Sequence, residues 1–166
     1  DFPFLRFNGQ EVISSTEALS LPEIPKKLLI IGAGAIGLEL GSVYQRLGTE
    51  VTILEIMPSI LPGTDLITAQ RLERILKKQG LKIYLQMKIE SAEVTTGQVR
   101  LKGSSLLDGK PFEFSADRVL IAAGRKPNIE DLVWDENLLR QQKGNYLEVD
   151  GQGQTSIPGV YAIGDL

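Results

Sequence analysis

The sequence predicts an α/β fold in which helices flank a parallel sheet and a small antiparallel β-meander is added to that sheet. Two observations predict this fold class. Short continuous apolar runs alternate with segments whose apolar residues recur at helical spacing, which is typical of strands covered on both faces. After the third predicted strand, at 81–85, the pattern changes from helical crossovers to short alternating strands separated by turn residues.

The order of the elements follows from these patterns. Residues 1–25 lack clear periodicity, and we interpret them as a connector with one short helical turn at 15–19. A strand at 27–31, a helix at 36–47 and a strand at 51–54 are predicted next. A second helix is capped by Thr64 or Asp65 and ends at Gly80, and its predicted buried residues are Leu66, Ala69, Leu72, Ile75 and Leu76. The remaining predicted strands are at 81–85, 89–95, 98–102, 111–115, 119–123 and 160–163.

Composition excludes several classes of function. The 166 residues suit a single domain, and 42% of them are apolar. A net charge of −3 without a basic run disfavours nucleic acid and anionic membranes as partners, and no apolar stretch has the ~20 residues of a membrane span. The chain has no Cys and no His, which excludes disulfides, Cys/His metal sites and imidazole bases. The chain also begins without Met and ends abruptly, so we expect a piece of a longer protein.

A glycine-rich motif, G-x-G-x-x-G, occupies residues 32–37 between the first predicted strand and helix. Gly32 permits a tight turn, Gly34 lets the backbone approach a pyrophosphate, and Gly37 allows close packing of helix on strand. The helix N-terminus then presents N–H groups to phosphates. This context favours a Rossmann-type dinucleotide site over a purely structural turn.

Glu55 lies at the end of the second strand, at about the offset expected for an acid on the adenosine ribose. A carboxylate there accepts hydrogen bonds from the ribose hydroxyls and repels the 2′-phosphate of NADP, so NAD is favoured. The alternative is a solvated acid at a strand end. A further alternative is that the glycine motif holds FAD instead of NAD.

Two other features stay open on spacing alone. Glu39, early in the first helix, is either a surface acid that the helix dipole stabilises or a polar contact toward the nicotinamide. The segment 122–128 follows the late strand and should border the cofactor, because ligands bind at the carboxyl ends of parallel strands. Arg125 in that segment could equally form a surface ion pair.

Four ordered motifs carry a resemblance to a known family. They are residues 32–42, 51–55, 123–128 and 159–165, and together they resemble the pyridine nucleotide-disulfide oxidoreductases from about Val12 onward. The resemblance implies the NAD-binding domain of a flavoenzyme, with dihydrolipoamide-oxidising members the most similar. Such enzymes pass two electrons from dihydrolipoamide through a redox disulfide and FAD to NAD.

The resemblance also assigns roles to individual residues. In the family the glycine-rich stretch cradles NAD, the acid at Glu55 holds the ribose, and the positions of Ile89 and Gly124 lie by the adenine and the nicotinamide ribose. It implies that Asp165 binds the ribityl chain of FAD in the longer protein. The implied NAD-binding residues are Gly32, Ala33, Gly34, Ala35, Ile36, Gly37, Leu38, Glu39, Glu55, Ile89 and Gly124.

The resemblance further implies three segments: a connector from a flavin domain at 1–25, the NAD-binding domain at 26–150, and a return toward the flavin domain at 151–166. The implied partners are NAD(H), the lipoyl domain of a 2-oxoacid dehydrogenase complex and a homodimer mate. The lack of a leader and of cysteine leads us to expect a cytoplasmic location. The family's cysteine pair and His-Glu acid/base pair are absent, so we expect no catalytic residue and no metal site in this chain.

The alternatives to this function are an NADPH-dependent disulfide reductase, a mercuric reductase or transhydrogenase relative, and a non-catalytic nucleotide-binding module.

Overall fold

The structure, a computed structural model, describes residues 3–125, 127, 129, 139–140 and 146–164. The chain divides into two compact units, residues 1–124 and residues 125–166. The segment boundaries that the sequence places near residues 25 and 150 stay predictions. All named helices and strands of the described residues lie in the first unit. In chain order they are β1 (Val12–Ile13), α1 (Ser15–Ala18), β2 (Lys27–Ile31), α2 (Ala35–Arg46), β3 (Glu50–Leu54), α3 (Leu66–Lys78), β4 (Lys82–Tyr84), β5 (Met87–Thr95), β6 (Gln98–Ser105), β7 (Pro111–Ala116) and β8 (Arg118–Ile121).

A five-stranded parallel sheet forms the centre of this unit. Its strand order is β1-β8-β2-β3-β4, and each pair of neighbours is parallel. In both β2 and β3 the first residue is exposed and the other four are buried, because helices and the second sheet cover the two faces. The continuous apolar runs of these strands follow from that double burial. The predicted α/β fold class is therefore confirmed.

The second sheet is the antiparallel meander that the alternating pattern predicts. Its order is β5-β6-β7, and a β-bulge interrupts the pairing of β5 with β6 between Ile89 and Ser91. One of its faces is buried against the parallel sheet, where Val99 and Leu101 pack with Leu29 and Leu54. This packing places the start of β5 next to the end of β3.

The helices begin in three different ways. Ser14 caps α1 with a full capping box, and Asp65 caps α3 by accepting a hydrogen bond from the Thr68 N–H at 2.9 Å. Helix α2 begins at Gly34, which has no side chain to cap it. Helix α2 ends as predicted, with Gly48 in the left-handed region (φ +96°) directly after the C-cap.

Three parts of the sequence-based prediction need correction. The segment before residue 25 contains an edge strand, β1, which the sequence analysis missed because two residues carry no periodicity. In α3, Leu66 and Ile75 are exposed, whereas Ala69 and Leu76 are buried. The predicted strand at 160–163 is wrong: Tyr161 forms only an isolated antiparallel bridge to Gln154, closed over a tight turn.

Candidate nucleotide-binding site

The glycine-rich loop joins β2 to α2 at the carboxyl end of the parallel sheet. Gly32 has a φ of +104°, a conformation that favours glycine. A Cβ at this residue would lie 2.5 Å from the carbonyl oxygen of Ala122, just after β8. Position 32 therefore requires glycine, because its φ disfavours other residues and the backbone that follows β8 leaves no room for a side chain.

Helix α2 packs closely on the strand that precedes it. A Cβ at Gly37 would lie 2.2 Å from the Gly32 carbonyl oxygen, and one at Gly41 would lie 3.1 Å from Cδ1 of Ile30 and 3.2 Å from Cδ1 of Ile53. The sequence analysis assigned no role to Gly41. Its spacing of four residues from Gly37 places both glycines on the same helix face, which is the signal that identifies it.

Gly34, in contrast, borders open space. No heavy atom lies within 4 Å of the position that a Cβ would take, and the residue has an ordinary φ of −75°. The first N–H groups of a helix have no partner within the helix, no side chain caps them in α2, and its first turn holds no acidic residue. Unpaired donors beside open space at a helix N-terminus fit the phosphates of a dinucleotide.

Glu55 follows β3 directly and is buried, with 6% of its surface exposed. One carboxylate oxygen, Oε2, accepts a hydrogen bond of 2.6 Å from the Ala33 N–H, and Oε1 accepts one of 2.8 Å from the Met57 N–H. The alternative of a solvated acid is therefore wrong. The contact with Ala33 also brings Glu55 to the glycine-rich loop.

The segment after β3 holds Ala33 from a second side. The Ala33 carbonyl oxygen accepts a hydrogen bond of 2.9 Å from the Leu61 N–H, and Leu61 has a φ of +48°. A left-handed conformation is uncommon for Leu and is maintained only where the surroundings impose it. Neither the Met57 nor the Leu61 contact was predicted from the sequence. Leu61 bonds to Ala33, which is distant in the chain, so no local pattern marks the pair. The Met57 N–H bonds to the Glu55 side chain only two residues before it, in a segment to which the sequence assigned no role.

The other predicted site residues lie in different places. Glu39 is exposed on α2. Ile89 is half-buried in β5, two residues after Met87, whose N–H donates to the Glu55 carbonyl oxygen. Gly124 (φ +119°) is exposed just beyond the β8 segment that Gly32 contacts. Asp165 lies outside the described residues.

The described residues contain neither a candidate metal site nor a helix that could span a membrane. Within residues 3–125 and the later described positions, no cluster of three or more acidic, His or Cys side chains could hold a metal ion. In the same part of the chain, no helix has both the length and the apolar character to cross a membrane.

Comparisons with known proteins agree with this geometry. The family model described as pyridine nucleotide-disulphide oxidoreductase matches residues 5–166. A dihydrolipoyl dehydrogenase from Thermus scotoductus is 42% identical over 166 residues, which is 99% of this chain and 35% of that protein.

Solved structures show the same likeness. The HOCl-induced flavoprotein disulfide reductase RclA from Escherichia coli superposes with a TM-score of 0.81 at 32% identity, covering 98% of this chain and 36% of that one. LpdA from Mycobacterium tuberculosis gives a TM-score of 0.82 at 27% identity, covering 99% and 35%. The chain thus spans about a third of the length of the proteins it matches.

Proposed function

The chain belongs to the pyridine nucleotide-disulphide oxidoreductase family, and we propose that it is the NAD(H)-binding domain of a flavin-dependent dihydrolipoyl dehydrogenase. The observation that carries the proposal is the Glu55 carboxylate held on the glycine-rich loop, 2.6 Å from the Ala33 N–H, beside the uncapped N-terminus of α2. In the proposed complex, Glu55 would accept hydrogen bonds from the ribose, and the start of α2 would donate to the phosphates, at the same edge of the sheet.

Different residues would contact different parts of the nucleotide. Gly32, Ala33, Gly34 and the start of α2 (Ala35, Ile36, Gly37, Leu38) would hold the pyrophosphate, and Glu55 would hold the adenosine ribose. By similarity to the family, Ile89 would line the adenine, and Glu39 and Gly124 would lie toward the nicotinamide. Asp165 would contact FAD in the longer protein.

When bound, the nicotinamide supplies a two-electron hydride carrier. The residues of this chain bind and orient that carrier. They include no Cys or His, so the redox disulfide and the acid/base pair belong to other parts of the protein in this proposal. The proposal also includes FAD, a homodimer mate, the lipoyl domain of a 2-oxoacid dehydrogenase complex as the source of dihydrolipoamide, and a cytoplasmic location.

Glu55 favours NAD over NADP. A carboxylate beside a 2′-phosphate places like charges together at a buried position, which costs several kcal/mol. No Arg or Lys occurs at residues 56–59 to neutralise that phosphate. NADPH-dependent disulfide reductases are therefore the weaker candidates.

Parallel calorimetric titrations of the chain with NADH and NADPH test the proposal. We expect saturable binding of NADH, weaker binding of NADPH by at least about tenfold, and a loss of NADH affinity in Glu55→Ala. The matched control is Glu50→Ala, which removes an exposed acid of β3 that pairs with Lys82 and Lys27.

The outcomes separate the candidates. A preference for NADPH would assign the chain to an NADPH-dependent relative. Binding of neither nucleotide would contradict the nucleotide-binding role, and FAD retained through purification would reassign the glycine motif to the flavin.

A further inference from the structure

We propose that Glu55 is also a positioning residue, which holds the glycine-rich loop in its phosphate-binding conformation before any nucleotide arrives. This inference rests on the proposed function, because it concerns the same dinucleotide site. It adds a second task to the residue, one directed at the phosphates instead of the ribose.

The geometry of the carboxylate carries the inference. Its two oxygens bond to two different backbone segments: Oε2 accepts from the Ala33 N–H at 2.6 Å, and Oε1 accepts from the Met57 N–H at 2.8 Å. Ala33 belongs to the loop between β2 and α2, whereas Met57 belongs to the segment after β3. A single side chain therefore hydrogen-bonds to both the loop between β2 and α2 and the segment after β3.

Burial makes the hydrogen bond between Glu55 and the Ala33 N–H necessary. Ala33 has no exposed surface, so its N–H cannot turn to water when the carboxylate is removed. A buried donor left without a partner is costly, and hydrogen bonds to a charged acceptor are the stronger kind. The Leu61 N–H holds the carbonyl oxygen of the same residue at 2.9 Å, so both polar groups of Ala33 depend on the segment that follows β3.

The position of Ala33 determines which part of the loop the Glu55 hydrogen bond holds in place. Ala33 lies between Gly32, which makes the turn, and Gly34, which borders the open space at the start of α2. Movement of the Ala33 peptide would re-aim the next amide, which is one of the phosphate donors. Glu55 therefore acts on the pyrophosphate through the backbone and on the ribose directly.

A consequence follows for nucleotide selection. Removing the negative charge of Glu55 would relieve its repulsion of a 2′-phosphate, yet it would also release the loop that binds the pyrophosphate. A neutral residue at this position is therefore expected to weaken NADH binding without producing tight NADPH binding.

The experiment separates the two tasks with a ligand that lacks the ribose hydroxyls. The chain, Glu55→Gln and Glu55→Asp are titrated with ADP and with 2′,3′-dideoxy-ADP. Gln has one acceptor oxygen for two N–H donors, and Asp keeps the charge but is one methylene shorter. We expect both variants to bind 2′,3′-dideoxy-ADP about three- to tenfold more weakly than the unmodified chain, which corresponds to the loss of about one ordinary hydrogen bond.

If Glu55 acted only on the ribose, its replacement would not weaken the binding of 2′,3′-dideoxy-ADP. Loss of a negative charge near the phosphates would leave the affinity of Glu55→Gln for 2′,3′-dideoxy-ADP unchanged or raise it, and that result would overturn the inference. Glu50→Gln serves as the matched control, and circular dichroism verifies that each variant is folded.

Amide hydrogen exchange measured by NMR, without nucleotide, gives a second readout. The Ala33 and Met57 N–H groups should exchange slowly in the chain and in Glu50→Gln, and the Ala33 N–H should exchange at least about tenfold faster in Glu55→Gln. Equal exchange would overturn the inference. If the chain binds neither ADP nor NADH, the proposed function fails, while the exchange rates still decide whether Glu55 holds the loop.

Discussion

Two glycines of the same motif, Gly34 and Gly37, have opposite surroundings. A Cβ at Gly37 would lie 2.2 Å from a backbone oxygen, whereas a Cβ at Gly34 would lie in open space. Gly37 is therefore needed for the fold, whereas the fold leaves room for a side chain at position 34. The consensus motif does not distinguish these two roles, because it prints the same letter at both positions.

Substitution by Ala should separate folding from binding at these two positions. Gly37→Ala should lower the free energy of unfolding by about 1–3 kcal/mol, since backbone would have to move. Gly34→Ala should change it by less than about 1 kcal/mol, because its φ is ordinary, yet it should weaken NADH binding. Urea unfolding and NADH titration of both variants measure the two effects.

The same two variants can contradict the assignment of Gly37 to folding and of Gly34 to nucleotide binding. If Gly34→Ala bound NADH as tightly as the unmodified chain, the phosphates would not approach the backbone at Gly34. Equal losses of stability in the two variants would show that the open space beside Gly34 is filled in solution.

At the scale of elements, Glu11 attaches the antiparallel sheet to the segment that precedes β1. Its carboxylate accepts hydrogen bonds of 3.0 Å from the Gly97 N–H, in the turn between β5 and β6, and of 3.0 Å from Asn8 Nδ2. The Gly97 N–H, opposed by burial, holds the pKa of Glu11 below its ordinary value of 4.5. The charged form is thus favoured by folding.

This attachment predicts a pH dependence with a definite sign. A lowered pKa in the folded state contributes stability that is present above the ordinary pKa and is lost as the pH falls through the folded value. Glu11→Gln should therefore have a lower Tm than the unmodified chain at about pH 7, and the difference should shrink as the pH falls below about 4.5. Thermal unfolding across that range measures the effect.

Glu23→Gln is the matched control, since Glu23 is exposed in the same N-terminal part of the chain. Its Tm should follow that of the unmodified chain at every pH. A difference between Glu11→Gln and the unmodified chain that stayed constant with pH would show that the charge of Glu11 makes no contribution.

The strands and helices that the sequence predicted correctly have local signals. Continuous apolar runs identify β2 and β3, and the glycine after α2 identifies its end, because neighbouring residues alone determine these features. The two residues of β1 carry no such signal. The Glu55–Ala33 hydrogen bond joins residues 22 apart, so only the assembled sheet creates it. Periodicity also could not show that Leu66 and Ile75 of α3 remain uncovered.

At the scale of the whole molecule, the proposed function assigns nucleotide binding to this chain and electron transfer from dihydrolipoamide to other parts of the protein. It spans about a third of the curated relatives and contains no Cys, so it carries no thiol to receive electrons from dihydrolipoamide. Under the proposed function, the site would bind the nucleotide, and the groups that exchange electrons with it would lie outside this chain.

We accordingly expect binding without turnover. The chain should bind NADH, and NADH absorbance should stay constant when lipoamide is added, because no group in the chain passes electrons between the two. The dihydrolipoyl dehydrogenase from Thermus scotoductus provides the positive control. Oxidation of NADH that depends on both the chain and lipoamide would contradict this division of labour.

The strand order has a consequence for biosynthesis. β8 lies between β1 and β2, with Val119 paired to both Val12 and Leu29, although it is the last strand of that sheet to leave the ribosome. Until it is made, β1 has no partner strand and one edge of β2 is bare, and bare edges invite association with other chains. We therefore expect nascent molecules that lack residues 118–121 to be more prone to aggregation than molecules in which β8 completes the sheet.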